Sequence, residues 1–112
     1  MVEIWHNSRC SKSRAGLKYL DDKGVEYKVV EYLKNPITID ELKVVLEKLN
    51  LKPSELVRKK ESIFKELNLK EASEDELLKA MVENPKLIER PIVVNGNKAV
   101  VARPTQEIDK VL

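Results

Sequence analysis

Val2-Glu3-Ile4-Trp5-His6, then Asn7-Ser8-Arg9-Cys10, then Ser11-Lys12-Ser13-Arg14-Ala15-Gly16-Leu17-Lys18-Tyr19-Leu20, reads as a strand, a short polar loop and a helix in succession. Val2, Ile4 and His6 alternate with Glu3 and Trp5, the two-residue period of a strand starting at Met1. Leu17 and Leu20 fall on the inner face of a helix expected from about Ser11 to Lys23, and Gly24 supplies its stop. Val25 to Tyr32, rich in valine and tyrosine, is the next strand. Strand, helix and strand in that order make a βαβ unit, whose strands run parallel.

Further along, Thr38 with Glu41 forms a capping-box pattern, and Leu42, Val45, Leu46 and Leu49 recur at helical spacing. Pro53-Ser54-Glu55 opens a short helix, and a further one is expected from Glu61 to Leu67. Ser73 with Glu76 is a second capping box, ahead of Leu77, Leu78, Met81 and Val82, and Asn84-Pro85 ends that helix. The block from about 36 to 85 is expected to be a helical insertion packed on the same core, within one domain spanning 1–112. Ile92-Val93-Val94 and Ala99-Val100-Val101 then flank Asn95-Gly96, a strong hairpin signal. Pro104 suits the first turn of a C-terminal helix containing Ile108, Val111 and Leu112. The fold class is α/β: a mixed four-stranded sheet with helices packed on it.

The chain has 112 residues, 42% apolar and 36% charged, as in ordinary globular proteins. Its 21 basic and 19 acidic residues leave a net charge of +2 with no basic block, and 4% of residues are aromatic. A nucleic-acid surface of phosphate contacts and stacking rings has no support in that pattern. The N-terminus lacks the basic region and apolar run of a signal peptide, and no apolar stretch is long enough to cross a bilayer. The single cysteine cannot form an internal disulfide, so a cytoplasmic location is expected.

A lone cysteine is often just a small buried apolar residue. Here it lies on the loop that leads into a helix, where unpaired N–H groups and the macrodipole favour a thiolate. Arg9, Lys12, Arg14 and His6 are close in sequence and would favour the anion further. His6 continues the inward phase of Val2 and Ile4, so it serves either as a buried histidine satisfied by the backbone or as a tuner of Cys10. With no second histidine or cysteine, a zinc site is not expected.

The segment His6-Asn7-Ser8-Arg9-Cys10-Ser11-Lys12-Ser13-Arg14 resembles the active-site segment of the ArsC family. These are glutaredoxin-coupled arsenate reductases and their relatives, with a thioredoxin-like fold. Tyr32-Leu33-Lys34-Asn35-Pro36, Glu55-Leu56-Val57-Arg58-Lys59-Lys60, Glu89-Arg90-Pro91-Ile92-Val93-Val94 and Ala102-Arg103-Pro104 resemble further family blocks in the same order. The resemblance implies that Cys10 is the nucleophile and His6 supports its thiolate. It assigns Arg58, Arg90 and Arg103 to the oxyanion, with Ser13 beside them. Pro91 would be a cis proline facing the active cysteine. Guanidinium groups suit a tetrahedral oxyanion because they offer planar, charge-assisted donors. The implied reaction reduces arsenate to arsenite, an arsenic detoxification, through a Cys10–arsenic adduct. Glutathione is the co-substrate, glutaredoxin is the partner, no cofactor is bound, and the chain is expected to act as a monomer. Independently of the resemblance, one cysteine leaves no internal resolving thiol, so reductases that pass a disulfide along their own cysteines are excluded.

Two alternatives stay open. Ser11 follows Cys10 where arsenate-reducing members carry glycine, so the loop resembles a sister branch, and a glutathione-dependent thiol oxidoreductase with another substrate fits it. A non-enzymatic RNA-polymerase-binding regulator of the same fold is the second. Such regulators often carry a Cys-x-x-Cys switch, and Ser13 holds that second position here.

Overall fold

The alternation at the N-terminus forms β1, Val2–Trp5, in the computed structural model, which describes residues 2–112; Met1 lies outside the described residues. The helix α1 spans Ser11–Asp22 and β2 spans Tyr27–Val30, in parallel register with β1. Gly24 takes a φ of +68°, the Gly24 amide donates to the Asp21 carbonyl, and the Val25 amide to that of Leu20. That pair of bonds is a Schellman stop, which only a left-handed residue at this place permits. It also shortens β2, because Val25 is still bonded to the helix. At the other end the Lys34 and Asn35 amides turn back onto the Glu31 carbonyl.

β3, Ile92–Asn95, pairs antiparallel with β1, and β4, Lys98–Val101, antiparallel with β3. The sheet order is β2-β1-β3-β4, the mixed four-stranded sheet expected. The hairpin is displaced by one residue from its expected position. Asn95 pairs with Lys98, so the turn is Gly96-Asn97, with Gly96 at φ +62°. Glycine at the first central position is what a type II′ turn requires. Asn95 is thereby free to send its side-chain amide to the Val111 carbonyl at 2.6 Å.

The C-terminal helix differs too: it is a 3-10 helix, Thr105–Val111, preceded by Pro104 and leaving Leu112 exposed. Residues three apart eclipse in a 3-10 helix, so this geometry buries Ile108 and Val111 on one side. They join Val2, Ile4, Leu20, Val93 and Ala102 in one apolar cluster. The Tyr19 hydroxyl donates to Asp109 at 2.7 Å, which ties this last turn to α1.

Residues 1–35 and 90–112 form one compact unit, and 36–89 form another. The second contains α2 (Ile39–Leu49), α3 (Pro53–Leu56), α4 (Ser62–Glu66) and α5 (Glu74–Glu83), with 3-10 turns at Leu69–Glu71 and Pro85–Leu87. Both expected capping boxes are present, Thr38 with Glu41 and Ser73 with Glu76. Glu74 accepts from the Ser54 amide and hydroxyl at 2.8 and 2.9 Å, fastening α3 to α5. The segment runs on past Pro85, where Val57 bridges Ile88. Leu42, Leu56, Met81, Leu87 and Ile88 are fully buried.

Candidate active site

The loop between β1 and α1 is held by Asn7. Its carbonyl accepts the Cys10 amide at 3.0 Å, and its side-chain oxygen accepts the Arg9 amide at 3.0 Å. Asparagine closes such turns with its own side chain. Arg14 reaches back from the first turn of α1 and donates to the Ser8 carbonyl at 2.9 Å. Cys10 is thereby set at the N-cap of α1, with extended backbone (φ −99°, ψ 123°), its carbonyl accepting the Arg14 amide. Helix geometry leaves the amides of Ser11, Lys12 and Ser13 without intrahelical acceptors, and the first turn holds no acidic residue. Partial positive charge is therefore concentrated at the cysteine.

Ser13 does not face outward as an oxyanion ligand. Its residue is fully buried, and its hydroxyl meets His6 Nδ1 at 2.7 Å and accepts the Asn7 amide at 2.9 Å. The hydroxyl is taken up in joining the end of β1 to the start of α1, across the loop that holds the cysteine. Ser13→Ala leaves a buried ring nitrogen and an amide without that partner, so we expect a loss of about 2 kcal/mol in urea unfolding.

His6 is 7% exposed, and its amide donates to the Val30 carbonyl at 3.0 Å, extending the β1–β2 pairing by one residue. Burial pushes its pKa below 6.5; the Glu31 carboxylate and the bond to Ser13 pull it back up, and Arg14 pushes it down. A lowered histidine resists protonation in the folded state, while the unfolded chain takes the proton near the ordinary value of about 6.5. The resulting stability is complete above that value and is lost as pH falls through the folded pKa. The urea midpoint should therefore drop between pH 7.5 and pH 5, and His6→Asn, which keeps a polar atom near the Nδ1 position, should show a shallower drop.

Arg103 is the guanidinium at the sulfur. Its Nε donates to the Arg90 carbonyl at 2.7 Å, and its Nη2 lies 3.9 Å from Cys10 Sγ. One side chain thus grips the segment before β3 and reaches the cysteine at the same time. Arg90 is half-buried, and the Arg90–Pro91 bond is cis, with Pro91 fully buried. The Ala102 amide donates to the Pro91 carbonyl at 2.9 Å, locking the two segments together beside Arg103. Arg9 and Lys12 are exposed. Arg58 belongs to the 36–89 unit, where its guanidinium pairs with Glu61 at 2.5 Å and Glu89 at 3.5 Å. Among the described residues no helix is long and apolar enough to cross a membrane.

The sequence reading missed Asn7, although an asparagine three residues before the cysteine is itself a turn signal. It also missed the role of the Arg90 carbonyl, which no residue pattern encodes.

A mixed sheet of order β2-β1-β3-β4, a cysteine at the N-cap of the first helix and a cis proline leading into β3 define a thioredoxin-like protein. Within that class the chain belongs to the ArsC family, whose model matches residues 5–111. The uncharacterized protein YfgD of Escherichia coli K12 is 48% identical over 110 residues, covering 96% of this chain and 92% of that protein. An arsenate reductase of Neisseria meningitidis serogroup B is 43% identical, covering 99% of this chain and 97% of that one. The solved structure of an arsenate reductase from Vibrio cholerae superposes with a TM-score of 0.95 at 42% identity, over 99% of this chain and 97% of that one.

Proposed function

We propose that this protein reduces arsenate to arsenite with Cys10 as nucleophile, glutathione as co-substrate and glutaredoxin as the partner that regenerates the thiol. The observation that supports this most is the placement of Cys10 Sγ at the N-cap of α1, with the Arg103 guanidinium 3.9 Å away. Negative charge is stabilised there twice, by unpaired backbone amides and by a fixed cation. The same donors suit an incoming oxyanion, which backbone amides at a helix N-terminus bind readily.

In the proposed sequence the Cys10 thiolate attacks arsenic(V), forming a sulfur–arsenic bond, and one arsenate oxygen leaves as water after protonation. Glutathione thiolate then attacks the adduct at the Cys10 sulfur. A sulfur–sulfur bond forms, the pair of the sulfur–arsenic bond stays on arsenic, and arsenite departs reduced by two electrons. The glutaredoxin thiol takes the glutathionyl group by exchange and returns Cys10 to the thiol. An external reductant is consistent with a chain that holds one cysteine.

The test is arsenite release from arsenate, with glutathione and glutaredoxin supplied together and each withheld in turn. Release that needs both supports the proposal. No release, with glutathionyl exchange still running on other disulfides, would instead assign the thiol to another substrate.

A further inference from the structure

Gly16 occupies the middle of α1, where glycine is the poorest residue after proline. No left-handed φ demands it. The reason is space: a Cβ there would lie 3.1 Å from Pro91 Cγ and 3.2 Å from Ile4 Cδ1. Neither neighbour yields easily, since Pro91 and Ile4 are fully buried and the proline ring is rigid. Ser13, Gly16 and Leu20 are the buried residues of α1, so the missing methyl belongs to the face that also holds the Ser13–His6 contact.

We infer that Gly16 is a positioning residue for Cys10: by letting α1 settle against Pro91, it sets the gap between the Cys10 sulfur and the Arg103 guanidinium. The helix that approaches Pro91 at Gly16 carries Cys10 at its N-cap. The segment it approaches holds the Arg90 carbonyl, which grips Arg103 Nε. A methyl at position 16 acts as a wedge between the two carriers and opens the 3.9 Å sulfur–guanidinium distance. The inference rests on Cys10 being the reactive thiol.

The experiment compares wild type, Gly16→Ala, Ile4→Val and the double variant by Cys10 alkylation with iodoacetamide at pH 7, arsenate turnover and thermal melting. Withdrawing the cation leaves the attacking sulfur with less electrostatic support, so alkylation of Gly16→Ala should slow by about threefold or more. Its kcat/KM for arsenate should fall by about tenfold, less than the roughly 100-fold that a 1 Å misplacement costs, because contacts of 3.1 and 3.2 Å call for smaller shifts. Ile4→Val removes Cδ1 and lets the new methyl slide away from Pro91. The double variant should then recover most of both rates, with Ile4→Val alone close to wild type.

Wild-type rates in folded Gly16→Ala would overturn the inference, as would losses that merely track the unfolded fraction. A double variant that fails to recover would overturn it as well. If wild type itself reduces no arsenate, the proposed function fails, while the alkylation rates still decide the role of Gly16.

Discussion

Cys10→Ser should abolish arsenite formation and at the same time make the protein more stable. The activity loss is expected at about 10⁴-fold or more, the scale reached when a nucleophile is removed. A serine hydroxyl forms neither a lasting arsenic adduct nor a mixed disulfide, and the chain has no other cysteine to substitute. The stability gain has a separate cause. Cys10 stands at the N-cap of α1 without a side-chain capping bond, although its extended backbone is the right one for capping. Serine is among the best N-cap residues, and its hydroxyl would accept an amide of the first turn, worth about 1 kcal/mol. For a domain of this size that corresponds to a melting temperature higher by about 4 °C. Differential scanning calorimetry alongside the turnover assay checks both halves. A lower melting temperature would mean the sulfur supports the fold, and retained turnover would remove Cys10 from the chemistry. The expected combination marks a position where function has displaced the locally stabler residue.

Arg103→Lys should lower kcat/KM for arsenate by about 100-fold, despite keeping the charge. Arginine uses its Nε on the Arg90 carbonyl and its Nη2 toward the sulfur, at 2.7 and 3.9 Å. Lysine has a single ammonium and satisfies one of these positions at a time. Because arsenate is charged before and after the adduct forms, the loss should appear in KM as well as kcat. Protection of Cys10 from alkylation by arsenate should weaken in parallel. Arg103 is exposed, so melting should change little, by about 0.5 kcal/mol. A lysine variant with wild-type kinetics would show that charge alone suffices and that the two-handed geometry is irrelevant.

Local physics made most of the scaffold legible. The alternation of Val2, Ile4 and His6, the glycine at position 24 and the two capping boxes each state their structure within a few residues. The misreadings share a long-range cause. The hairpin turn sits one residue further on, with Asn95 paired in the strand and bonded to the Val111 carbonyl, and the final helix is 3-10, with Ile108 and Val111 buried.

The site divides in the same way. Cys10 at a helix start was readable, whereas Arg103 acts across 93 residues of sequence and emerged only through family resemblance. The resemblance alone puts Ser13 beside the oxyanion, whereas its hydroxyl is engaged by His6 and the Asn7 amide. Its spacing with Gly16 and Leu20 puts all three on the buried face. Arg58 has one of its carboxylate partners, Glu61, three residues away, across a turn in which the Glu61 amide donates to the Arg58 carbonyl.

The most direct measurement is the intact mass of the protein mixed anaerobically with glutathione, with and without arsenate, and with glutaredoxin left out. A single glutathionyl group on Cys10 that accumulates only when arsenate is present is the predicted result. Glutathionylation that is equal in both mixtures, or absent from both, would contradict the assignment of this thiol to arsenate reduction.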